Sequence, residues 1–190
     1  MDPVETMERV IAESRRVVDG ITPEQLGKQT LCTDWTVRDV LNHITGGATY
    51  FAMVSEQQSV SDDVMGQLLG GGDNLGDDYK GAFNTAVDRA LAAFAKPGAL
   101  DTQVKLPFGE VPAVVALNIA IFDVTTHTCD IAEATGQEVK DTELVETAIE
   151  VGKQTVQPEM RTPGFFDAEQ PCPDAAPADK RLLAFAGRHV

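Results

Sequence analysis

Two histidines and three aspartates carry the chemistry this sequence has to offer. Asp123 and His127 stand four residues apart, and Asp130 follows three residues later. In a helix, 100° steps place all three in one narrow sector with Ala116, Ile119, Ala120, Ile131 and Ala134. The ionisable groups therefore share a face with small and branched apolar residues. An unpaired carboxylate buried there costs several kcal/mol, so something must compensate. A mutual Asp123–His127 pair does so, and so does a metal ion. The i, i+4 spacing lets both heads converge on one ion. A third ligand must come from another helix, and His43 is the candidate, in line with Val40, Gly47 and Val54. Two histidines and a carboxylate leave a coordination position open, the pattern of catalytic rather than structural zinc. Iron or nickel suits the same set. Spacing alone favours the plainer reading of histidines with ordinary partners, because acids are frequent in this chain and Asp39 also stands four residues before His43. His189, near the end of the sequence, reads as solvated, and Cys129 faces away from the Asp123–His127 sector as a small buried residue.

These residues need helices to position them, and helical periodicity dominates the sequence. Val4, Met7, Val10, Ile11 and Val17 predict a helix over about residues 3–19, stopped by Gly20. Thr22-Pro23-Glu24-Gln25 has the form of a capping box. A second long helix is predicted from Thr36 to Val54. Residues 57–76 hold five glycines among Ser, Asp and Asn, and read as a mobile connector. They are a poor phosphate loop, since no Lys-Ser/Thr follows and Asp73, Asp77 and Asp78 repel anions. A third long helix should run from Asp77 or Asp78 to Ala95, followed by a small β-hairpin turning at Pro107-Phe108-Gly109. The helix bearing Asp123 should start at Pro112, reach Ala134 and close at Gly136. Another spans about 142–157, Pro158 to Pro177 is irregular, and a last amphipathic piece covers Asp179 to Gly187. The expected architecture is all-α: residues 1–157 form a helical bundle, and 158–190 a Pro-rich tail whose short C-terminal helix packs on the same domain.

The 190 residues are 43% hydrophobic, enough for one domain with a core that folds without staples. A net charge of −15 repels phosphate, which argues against nucleic acid and anionic membrane as partners. Three scattered cysteines, with no CxxC pair, indicate neither a disulfide framework nor a cysteine zinc site. The acidic N-terminus is unlike a signal peptide, and the uncharged run Val111–Phe122 is too short to span a bilayer. A cytoplasmic protein is the expectation. Trp35, the single tryptophan, precedes the second long helix. It either staples the helix start or lines a substrate pocket.

The stretch "LCTDWTVRDVLNHITGG" resembles the N-terminal helical domain of the mycothiol-dependent maleylpyruvate isomerases, in the DinB-like superfamily. "FDVTTHTCDIAEATG" resembles that family's acid-xxx-His segment, and "LPFGEVPAVVAL" with the Pro-rich tail resembles relatives described as metal-binding. The resemblance implies a DinB-like four-helix bundle with an extra C-terminal helix. It also implies a divalent metal, usually zinc, on His43, Asp123 and His127. The isomerases carry glutamate where this chain has Asp123. They also carry a separate C-terminal domain for which 190 residues leave no room, so isomerase activity itself is not implied.

Three mechanisms follow. In the first, a small thiol, mycothiol by resemblance, takes the open position as a thiolate and adds to an electrophilic substrate, as in a transferase or isomerase. Asp130 then orients His127 or another ligand, Asp39 is a further supporting carboxylate, and Trp35 lines the substrate site. In the second, metal-bound water makes the protein a hydrolase. In the third, the metal is structural and the bundle is a non-enzymatic interaction scaffold. A homodimer is the default assembly for such a bundle.

Overall fold

A computed structural model describes residues 2–161 and 167–190 of the chain. Helix α1 (Pro3–Asp19) starts where the Asp2 carboxylate accepts the Val4 N–H at 2.8 Å, with proline at the first helical position. Its apolar stripe, Met7, Val10, Ile11, Val17 and Val18, is buried. Helix α2 (Val37–Ser55) starts at a capping box: the Asp39 N–H donates to Thr36 Oγ1, and the Thr36 N–H donates to Asp39.

Residues 57–76, expected as a plain connector, contain helix α3 (Asp62–Leu69). Gly66 within it and the glycines after it obscured a local start signal, the Ser61 hydroxyl accepting the Val64 N–H. Tertiary contacts complete it. The Leu68 carbonyl lies directly over Gly46 of α2, where any side chain would collide with it. Asn74 donates to that same carbonyl at 3.1 Å, and its own N–H donates to Asn42 Oδ1 at 2.7 Å. Leu75 is buried just beyond.

Helix α4 (Tyr79–Phe94) starts at Asp78, whose carboxylate accepts the Gly81 N–H. Strands β1 (Gln103–Leu106) and β2 (Gly109–Pro112) form an antiparallel hairpin with Val104 opposite Val111 and Leu106 opposite Gly109. Gly109 has φ of 135°, so the tight turn requires glycine there. Helix α5 (Ala113–Thr135) ends at Gly136, left-handed at φ 73°. Helices α6 (Thr142–Thr155) and α7 (Ala178–Phe185) follow, α6 starting at Asp141. The fold is thus mostly α, with a small hairpin and an extra C-terminal helix.

Helices α1, α2, α4 and α5 surround one core, α1 and α2 each packing on both α4 and α5. A second apolar cluster lies on the other side of α5, where Phe122 and Cys129 meet Val145, Ile149, Leu182, Leu183 and Phe185 of α6 and α7. Helix α5 is therefore covered on most sides. It is long and apolar enough to cross a bilayer by composition, but it is the central helix of this fold. An ionisable group on its covered faces must find its partner inside the protein.

Candidate metal centre

His43 projects from α2 and Asp123 and His127 from α5, two helices packed against each other. One ligand-type atom from each side chain falls in a cluster with no separation above 4.8 Å. His43 Nε2 lies 3.3 Å from Asp123 Oδ1, and His127 Nε2 lies 3.6 Å from the same oxygen. The three residues that spacing singled out therefore meet in space.

Burial favours the neutral carboxyl of Asp123. The charges of His43 and His127 and the hydrogen bond to His43, with the Arg188 charge helping, outweigh it and hold the pKa at about 2. Asp123 is thus an anion throughout the physiological range. Burial likewise opposes a charged His43, but the charge of Asp123 and their hydrogen bond overcome it and raise the His43 pKa above its ordinary value.

The orientation of His127 is fixed from behind. Its Nδ1 lies 3.0 Å from Oδ2 of Asp130, which is wholly buried. Arg188 donates to both oxygens of Asp130, at 3.2 Å from Nε and 2.8 Å from Nη2. Burial pushes the Asp130 carboxyl up, but the bonds and charges of His127 and Arg188 leave its pKa below the usual value. An ionised carboxylate only accepts, so Nδ1 of His127 must carry a proton. In the neutral ring, Nε2 then presents a lone pair toward the carboxylate of Asp123. Two electron-rich groups facing each other need a cation or an added proton between them. A divalent ion fits this donor set: one anionic oxygen, two imidazole nitrogens, and a carboxylate behind one imidazole.

Trp35 lies at the start of α2 and packs on both rings. Its ring centroid is 5.0 Å from that of His43 and 5.7 Å from that of His127, stacked at 21° on the latter. Asp39 stands apart from the cluster: it is exposed, and its carboxylate takes part in the capping box of α2. A cap at the helix start is what holds it there, so the structure gives it no contact with the histidines. His189 is exposed and Cys129 is buried in the cluster behind α5.

Arg188 escaped the sequence reading. It sits beyond α7, 58 residues from Asp130, and neither periodicity nor local spacing links the two. The available signal was indirect: a carboxylate on a buried face, with one histidine as neighbour, needs a cation from elsewhere. Cys32 was also overlooked. It lines the site, and its sulfur falls within 4.8 Å of donor atoms of His127 and Asp130. Burial, with the charges of Asp130 and Asp123 adding and that of Arg188 opposing, pushes its thiol up to about 11, so it stays protonated at neutral pH.

A cavity of about 590 Å³ opens beside these side chains, bordered by Trp35, His43, Asp123, His127 and Arg188 at the ionisable end. This size is typical of small-molecule sites.

A family model described as the mycothiol maleylpyruvate isomerase N-terminal domain matches residues 7–132. Proteins of Mycobacterium tuberculosis strains CDC 1551 / Oshkosh and ATCC 25618 / H37Rv, both described as uncharacterized, are each 32% identical over 196 residues, covering 100% of both chains. Two crystal structures of a mycothiol-dependent maleylpyruvate isomerase, one of a histidine-to-alanine mutant, superimpose with a TM-score of 0.64 at 17% identity. The match covers 81% of this chain and 66% of theirs, so this chain spans about two thirds of the isomerase length, and the likeness is one of fold. With the family model spanning most of the helical core and the relatives aligned end to end, the chain belongs to the mycothiol maleylpyruvate isomerase N-terminal domain family.

Proposed function

We propose that this protein is a metal-dependent enzyme of small-thiol chemistry, with His43, Asp123 and His127 as ligands of a divalent ion, zinc in the first instance. The observation that carries the reading is the three-residue cluster at the wall of an open cavity. A sealed site with a fourth protein ligand would suit a structural metal. Here a ligand of about thiol size has room to reach the cluster.

When bound, the ion supplies the positive charge that keeps a thiol deprotonated at neutral pH. The protein's own residues set up the rest. Asp130 and Arg188 hold His127 with its Nδ1 proton turned inward, so that Nε2 faces the cavity side. Trp35 covers both imidazoles and restricts water on that side. The family points to mycothiol as the thiol. Its sulfur would add to one carbon of an activated C=C bond of the second substrate, the π electrons moving onto the activating carbonyl. In a transfer reaction the adjacent carbon then takes a proton from solvent and the C–S bond persists. In an isomerisation the C–C bond rotates and the returning electrons restore C=C as the C–S bond breaks. The Cys32 thiol, held protonated, does not compete as a nucleophile.

The test is elemental analysis of purified protein with His43→Ala and His127→Ala variants, followed by titration with a small thiol. The expected result is one metal equivalent in the wild type, lost in both variants, with thiol binding only in the loaded protein. Full metal retention in His127→Ala would refute the ligand set.

A further inference from the structure

Two adjacent glycines in the interior of α2 differ in a way that packing does not explain. Gly46 is required, because a side chain there would strike the Leu68 backbone carbonyl. Gly47 is also buried, yet a Cβ built on it meets no atom within 4 Å. Glycine inside a helix is less favourable than alanine, and nothing packed against Gly47 forbids the larger residue. The space beside it is the cavity, which Gly47 lines one helical turn from His43.

The cavity is polarised along the α2–α5 groove. Moving from His43 through Gly47 to Phe51 on α2 runs alongside the path from His127 through Asp123 to Ile119 on α5. His43 pairs with Asp123 and His127, while Gly47 and Phe51 border a small void together with Ala120 and Asp123, so the two helices run antiparallel and both paths lead away from the histidines in one direction. Eight residues of helix carry the groove about 12 Å away from the histidines. The apolar part of the lining includes Phe51, Leu69, Leu106, Phe108 and Ile119, and the hairpin is held beside Phe51 by the Tyr50 hydroxyl, which donates to the Lys105 carbonyl at 3.0 Å. Phe108, at the hairpin tip, is half exposed there at 51%.

We infer that this far end binds the apolar body of the second substrate and that Gly47 is the specificity-determining residue that keeps it open. The electrophile taken by this protein is then an elongated molecule. Its reactive polar head lies against the His43–Asp123–His127 end, and its hydrocarbon or aromatic body reaches the hairpin. This deepens the thiol reading by naming the class of acceptor, but the binding site itself stands on the cavity and on Gly47, not on the metal.

The experiment is fluorescence titration of the full chain with N-phenyl-1-naphthylamine, a neutral apolar probe, before and after treatment with EDTA. Saturable binding is expected in both states. Gly47→Leu should weaken it at least about tenfold while its thermal midpoint stays at or above that of the wild type, because the added side chain fills open space. Ile119→Phe narrows the same end from α5 and should weaken binding in the same way; it decides the matter if Gly47→Leu does not fold. Absence of saturable binding in the wild type, or undiminished binding in the folded occluding variant, overturns the proposal. A protein that binds the probe but holds no zinc keeps this inference and loses the thiolate reading, so the two fail separately.

Discussion

Arg188 and Asp130, 58 residues apart, form a buried ion pair in which both carboxylate oxygens are engaged, one of them also by His127. The segment after α7 is thereby tied to the helix that carries two of the candidate ligands. Arg188 Nη1 also donates to the Ala186 carbonyl at 2.7 Å, which fixes the guanidinium against its own turn.

Removing Arg188 leaves a buried carboxylate with a single partner. Arg188→Met should destabilise the protein by about 3–5 kcal/mol, the usual result of breaking a buried pair from one side. Zinc affinity should fall by roughly 10–100-fold through loss of the support behind His127. Urea denaturation and competitive zinc titration measure the two effects. Unchanged zinc affinity in a folded variant would separate Arg188 from the site.

Asp39 belongs to the helix start. Asp39→Ala should cost about 1 kcal/mol, the worth of a typical cap, and leave metal content and thiol binding as in the wild type. Thermal denaturation with elemental analysis distinguishes this from a role at the site.

Gly46→Ala removes the unfavourable backbone entropy of glycine but sets a methyl group against the Leu68 carbonyl. The collision should dominate, with a net loss of about 1–3 kcal/mol. Protection of α3 amides against hydrogen exchange should drop at the same time, because α3 is the element displaced.

Glu13 shows how stability should respond to acid. Its carboxylate accepts from Arg16 at 2.7 and 3.1 Å and from the Lys140 N–H at 2.6 Å, tying α1 to the α5–α6 connection. Burial raises its pKa, but the Arg16 and Lys140 bonds and the Arg16 charge bring it below the ordinary 4.5. A carboxyl with a depressed folded pKa contributes stability above its unfolded pKa and loses it as the pH falls through the folded value. Glu13→Gln should therefore be less stable than the wild type at pH 7, by about 1–2 kcal/mol for a charge-assisted bond. The gap should close as the pH is lowered past 4.5. A gap that persists at low pH would assign the loss to packing instead.

Much of the helical layout was legible because its signals are local. Asp2, Thr36, Asp78 and Asp141 cap their helices within three residues, and Gly136 ends α5 by its own left-handed backbone. The hairpin was legible in Pro107-Phe108-Gly109 for the same reason. Helix α3 was not, since Gly66 within it and four glycines just beyond lower the local helical preference, and its stability comes from Gly46, Asn42 and Asn74 across the fold.

At the site, the sequence placed Asp123, His127 and Asp130 on one helix face, because 3.6 residues per turn leave no other arrangement. It also marked His43, through the motif it shares with the family, as the partner from a second helix. That Asp130 answers to Arg188 and that Gly47 opens onto a cavity came from packing across the fold. Those outcomes depend on which surfaces meet after the chain has packed. A helical period records which way a side chain points, but not what comes from another part of the chain to meet it.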